Sequence, residues 1–94
     1  MPSDAPAPAA VDWRPALPPS VRRRHDQVRG AELLLMPERV VRLNAEGGRV
    51  LRLCDGRTTV EGIVTALARD FPDAPIAADV PAFLARLRDR GWLR

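Results

Sequence analysis

The sequence predicts an α+β fold in which a three-stranded antiparallel sheet is followed by three helices. Short apolar runs on either side of Pro37 and Glu38 read as paired strands, and after Leu43 the apolar period changes from two to about 3.6. Val60, Ile63, Val64, Leu67, Ala68 and Phe71 then lay one continuous apolar stripe along a helix. Connections of a few residues join antiparallel neighbours, so the expected sheet is a meander. A chain of 94 residues sets the expectation of a single small core.

In chain order, residues 1–20 hold six of the ten prolines together with many alanines, and this composition predicts a disordered tail or linker ahead of a domain spanning 21–94. Trp13 is the one large apolar group there; a solvated residue in a loose tail is the favoured reading, with docking on this domain or on a partner as the alternative. Residues 21–26, VRRRHD, form the first expected strand, with Arg22, Arg23 and Arg24 guarding an edge against unwanted pairing. His25 beside Asp26 has the look of a catalytic pair. Neighbouring strand residues point to opposite faces, however, and no nucleophile accompanies them. Residues 32–36 make the second strand and 39–43 the third, where β-branched Val40 and Val41 alternate imperfectly with Arg39 and Arg42.

Asn44 has the side chain of a helix cap, and Val50, Leu51 and Cys54 share a face of a first helix over 45–54. Gly47 and Gly48 in its first turn cost about 1 kcal/mol each relative to alanine, which predicts a helix that frays or starts late. Gly56 follows as a terminator. Thr58 and Glu61 have the spacing of a capping box for the second helix, which Pro72 and Pro75 end. A third helix is expected from Asp79 as its cap, with Pro81 in the first turn and Val80, Phe83, Leu84 and Leu87 inward. Arg86, Arg88 and Arg90 suit its C-terminal end, Gly91 stops it, and Trp92 and Leu93 fold back as an apolar plug.

Composition excludes more functions than it selects. Fifteen arginines, no lysine and twelve acidic residues give a net charge of +3, which permits nucleic-acid binding without requiring it, and aromatic residues for stacking are scarce. One cysteine, Cys54, cannot close an intramolecular disulfide, and with one histidine there is no dense Cys/His metal site. No apolar run approaches about 18 residues and no secretory signal opens the chain, so a cytoplasmic location without membrane contact is expected. No phosphate loop or nucleophile–base pattern is present, so neither enzymatic activity nor a cofactor is expected. What remains is geometric. A sheet edge at 39–43 beside a helix can take up an extended peptide through main-chain hydrogen bonds, with pockets for its alternate side chains. The competing reading is a helix-turn-helix contacting DNA, for which the second helix offers little beyond Arg69. A free edge also leaves open a homodimer by strand exchange.

Taken together, LLLMPERVVRLN, RVLRLCDGRTTVEGIV and DVPAFLARLRDRGWL resemble the PqqD family of pyrroloquinoline quinone biosynthesis over about 20–94. Pro37-Glu38 followed by Leu43-Asn44, the Cys54-Asp55-Gly56 break and the closing Gly91-Trp92-Leu93 carry the resemblance. It implies a peptide-recognition domain of winged-helix-like construction, a RiPP recognition element. Such a domain binds the precursor peptide PqqA and presents it to the radical S-adenosylmethionine enzyme PqqE without chemistry of its own. Leader binding as an added strand between the third strand and third helix maps onto Arg39, Val40, Val41, Arg42 and Leu43, and onto Phe83, Arg86, Leu87 and Arg90.

Overall fold

A computed structural model describes residues 9–94. Three strands, β1 (Arg22–Asp26), β2 (Ala31–Met36) and β3 (Arg39–Leu43), precede three helices, α1 (Ala45–Arg52), α2 (Val60–Asp70) and α3 (Ile76–Asp89). The sheet order is β1-β2-β3 with both pairs antiparallel, so β2 is central and β1 and β3 are its edges. Asp26 turns the chain between β1 and β2 by accepting the backbone N–H groups of Val28 and Arg29 at 3.1 and 3.3 Å. In register, Leu34 lies between Arg23 and Val41, and Glu32 lies between His25 and Leu43. These residues share the face that the helices cover, and Leu34 at 0 % exposure is the centre of it.

The first helix does not fray. Asn44 accepts the Gly47 N–H at 2.7 Å, and α1 begins at Ala45. Its glycines are explained by close approach: a Cβ at Gly48 would stand 2.8 Å from Cγ of Glu32, so only glycine lets α1 settle on β2. Glu32 is itself buried at 8 % exposure. Arg52 at the end of α1 donates to its Oε1 at 2.6 Å, His25 Nδ1 lies 3.2 Å from the same oxygen, and Arg23 stands 3.8 Å from Oε2. The Arg52 hydrogen bond is the main reason the carboxyl is held below the usual glutamate range, outweighing the opposing effect of burial.

Two helix starts depart from the sequence reading. The cap of α2 is Thr59, whose hydroxyl accepts the Gly62 N–H at 3.1 Å. Thr58 instead donates to Asp55, so no box forms between Thr58 and Glu61. Asp55 organises this turn, accepting the N–H groups of Arg57 and Thr58, each at 2.8 Å, which lowers its carboxyl pKa. In α3, helix begins at Ile76 after Pro75 with no side-chain cap, which leaves Asp79 inside the first turn and Pro81 in the second. The end of α3 follows the sequence. Gly91 takes φ +79°, its N–H donates to Arg88 and that of Trp92 to Leu87, a left-handed termination that leaves Leu93 buried.

The largest departure is the N-terminal segment, expected to be disordered. Residues 1–8 lie outside the described residues, but 9–20 run across the helical side of the domain. Ala16 and Arg94 exchange backbone hydrogen bonds at 3.0 and 2.9 Å, and the C=O groups of Pro15 and Trp13 accept from Gly56 and Val60 at 2.8 Å each. Pro15 is fully buried. Trp13 is not a solvated residue but packs on the core beneath Arg88, whose guanidinium lies 4.6 Å from the ring centre.

Leu34, Val50, Leu51, Cys54, Val60, Ile63, Leu67, Val80, Leu84 and Leu87 meet in one core with Val21 and Leu93. Burial pushes the Cys54 thiol up to about 12, so it serves as a small apolar group with a weak hydrogen bond to the Val50 carbonyl at 3.5 Å.

Candidate functional site

Among the described residues β3 pairs with β2 on one side only, and its other side is a sheet edge. Pleating sends Val41 and Leu43 toward the helices, where both are half-buried against the core, and Val40 and Arg42 to the opposite face, where both are exposed. Asn44 ends the strand and starts α1 within one residue, which brings α1 alongside the edge.

A groove of about 690 Å³ opens beside this junction. One wall is the first turns of α1, with Glu46, Gly47, Arg49 and Val50; the other is α3, with Ile76, Asp79, Val80, Phe83 and Arg86; Leu67 and Phe71 of the α2 end close it. Phe83 of α3 and Leu43 of β3 both border Gly47. Its Cζ lies 3.5 Å, and Cβ of Leu43 3.9 Å, from the point a Cβ of Gly47 would occupy. Both are ordinary contact distances; the tight neighbour of that point is Oδ1 of the capping Asn44, at 3.0 Å. Arg49 stacks over Phe71 at 4.9 Å from the ring centre, leaving its charge at the rim of an apolar floor. A second recess of about 550 Å³ meets the groove at Asn44 and Arg49 and carries His25, Arg42 and Arg52 around the buried Glu32.

The residues the sequence singled out are thus sorted rather than gathered. Val41, Leu43, Phe83 and Arg86 stand at the strand edge or in the groove. Arg39 is exposed at the Pro37-Glu38 turn, and Val40 and Arg42 are on the far face of the sheet. Leu87, at 5 % exposure, belongs to the core, and Arg90 lies over Trp92 at 5.3 Å, away from the groove lining. Sequence reasoning missed the α1 wall and the contribution of Phe71 and Ile76. The Gly47-Gly48 pair was the available signal, since two glycines in a first turn mark a place where something approaches the backbone.

Among the described residues no group of three or more His, Cys, Asp or Glu side chains is placed to hold a metal, and no helix is long and apolar enough to cross a membrane. A sheet edge alongside an apolar, charge-rimmed groove is a geometry to which an extended chain can add as a further strand. The comparisons agree. Residues 33–93 match the family model described as coenzyme PQQ synthesis protein D (PqqD). The PqqA binding protein of Pseudomonas aeruginosa (strain UCBPP-PA14) is 36 % identical over 85 residues, covering 89 % of this chain and 92 % of that one. The PqqA binding protein of Rhodopseudomonas palustris (strain BisB5) is 39 % identical over 82 residues, covering 85 % and 80 %. The solution structure of the PqqD truncation of Methylobacterium extorquens PqqCD, described as a functional and stand-alone RiPP recognition element, superposes with a TM-score of 0.69. It is 40 % identical and covers 85 % of this chain and 87 % of that one. The chain belongs to the PqqD family, a non-catalytic family of peptide-recognition proteins.

Proposed function

We propose that this chain binds the ribosomal precursor peptide PqqA by strand addition to β3 and presents it to the radical S-adenosylmethionine enzyme PqqE, in the cytoplasm, during pyrroloquinoline quinone synthesis. The observation that carries the reading is the convergence of Phe83 and Leu43 on Gly47, each within 4 Å of its Cβ position, with an apolar groove that begins at Asn44, where the β3 edge ends. An added strand would satisfy the outward N–H and C=O groups of β3, and its alternate side chains would face the groove. Val41, Leu43, Phe83 and Arg86 are the contacts expected on that side; Val40 and Arg42 lie on the opposite face, where they would flank the added strand. PqqA-binding relatives of nearly the same length support the peptide assignment.

Titration of the chain with synthetic PqqA, followed by amide NMR shifts, tests this reading. Shifts concentrated in 39–44 and 76–86 are expected. Their absence at high peptide concentration would remove it. A second copy of the chain could use the same edge, and light scattering with and without peptide separates exchange between copies from peptide capture.

A further inference from the structure

The two cavities that meet at the end of β3 differ in charge. The groove carries Glu46 and Asp79 against Arg49 and Arg86, so its rim is balanced. The recess carries Arg42, Arg49 and Arg52 together with His25, and Glu32 is its one carboxylate. That carboxylate is already partnered: Arg52 and His25 meet its Oε1, and Arg23 stands 3.8 Å from its Oε2. Arg42 and Arg49 are exposed, and among the described residues neither is in an ion pair. Two uncompensated guanidinium groups therefore line a cavity of about 550 Å³ whose own acid is occupied.

We propose that this recess holds the carboxylate of an Asp or Glu side chain of the bound peptide, and so selects which peptides the chain accepts. The proposal rests on the reading of strand addition at β3 given above. β3 runs toward Asn44, which lines both cavities, so one end of any strand laid along its edge emerges where groove and recess meet. A peptide crossing that point with apolar side chains in the groove has Arg42 and Arg49 beside its next residues. Guanidinium groups hold a carboxylate through paired N–H donors, which fixes its direction as well as its charge. The groove then reads apolar shape and the recess reads an acid. A nucleic-acid phosphate is the competing anion, but neither Phe nor Trp lines the recess to stack a base.

The test is a double-mutant cycle read by calorimetry. The full chain with Arg42→Gln and Arg49→Gln together is titrated with synthetic PqqA, and with PqqA variants in which each Asp or Glu is replaced singly by Asn or Gln. An about tenfold loss of PqqA affinity is expected in the double variant at low salt. One acidic residue of PqqA should show the same loss on wild type when replaced by its amide, and no further loss on the double variant. Unchanged affinity in the double variant would overturn the proposal. So would a loss coupled to no single acidic residue, a loss coupled instead to amidation of the peptide's C-terminal carboxylate, or duplex DNA that wild type binds and the double variant does not. Arg49 also lies over Phe71, so the cycle is repeated with Arg42→Gln alone, at an exposed strand position, where a smaller loss coupled to the same acid is expected and its absence overturns the proposal. Failure of wild type to bind PqqA sinks the peptide reading itself, and PqqA binding without shifts in 39–43 sinks strand addition; both are distinguishable from a recess that does not discriminate.

Discussion

β1 and β3 flank the same central strand and are both five residues long, yet they make opposite kinds of edge. The inward side chains of β1, Arg23 and His25, are directed at the buried carboxylate of Glu32, and its outward ones are the exposed Arg22 and Arg24 and the half-buried Asp26. Those of β3, Val41 and Leu43, pack on the margin of the core beside a groove that α1 and α3 hold open. Both strands have unpaired backbone on their outer side. The two edges thus differ not in their backbone but in the surface beside it, and on the β3 side that surface includes α1, which Gly48 lets settle against β2.

The contrast can be broken most strongly at Phe83. Phe83→Ala removes the aromatic side chain that lines the groove next to Gly47, and PqqA affinity is expected to fall by about 30-fold or more, the effect of losing an interface anchor of about 2 kcal/mol. Because Phe83 is only partly buried, thermal unfolding should remain cooperative and close to wild type.

On the β1 side the expected effects concern stability. Glu32→Gln weakens a charge-assisted hydrogen bond to Arg52 and should destabilise the fold by about 1–3 kcal/mol in denaturant titration. The sign of its pH dependence is fixed. The folded carboxyl, faced by Arg52, His25 and Arg23, has a pKa below its unfolded value, so its contribution is complete above the ordinary glutamate value of about 4.3 and is lost as pH falls through the lower, folded one. The variant should flatten this acid limb of the stability curve.

Gly48→Ala sharpens the role of close approach. Alanine gains up to about 1 kcal/mol of helix propensity, but its Cβ would stand 2.8 Å from Glu32 Cγ and 3.3 Å from Glu32 Cβ. Glu32 is held from three sides, so a net loss of about 1 kcal/mol is expected from overpacking, measured by chemical unfolding. The smallest effect is expected for Arg23→Ala. Its guanidinium is 3.8 Å from Glu32 with a side chain 36 % exposed, and such a pair should be worth less than about 0.5 kcal/mol in the same assay.

Much of this was legible in the sequence because it is local. The strand limits at 39–43, the cap at Asn44, the stripe through Val60, Ile63 and Leu67 and the stop at Gly91 are each set by residues within a turn of one another. The misread parts depend on distant partners. Proline-rich composition predicted disorder for 1–20, but proline keeps its carbonyl, and those of Pro15 and Pro81 accept from Gly56 and Ala9; nothing nearby in sequence reveals such donors. The start of α3 was placed four residues late because Asp79 suits a cap better than Pro75, although proline's fixed φ fits it to enter a helix without one. The capping box failed by one residue because Asp55 claims Thr58. Of the candidate site, the strand at 39–43 and its place at the sheet edge were readable and the groove was not, since its α1 wall exists only where Gly48 meets Glu32 across the fold.

Amide hydrogen exchange at β3, with and without PqqA, tests the central claim most directly. In an antiparallel edge strand every second N–H points outward, and an added strand must protect those. Protection gained by alternate amides within 39–43, with β1 unchanged, is the predicted result. Peptide binding that leaves every β3 amide exchanging at its free rate, or that protects β1 instead, would contradict the account.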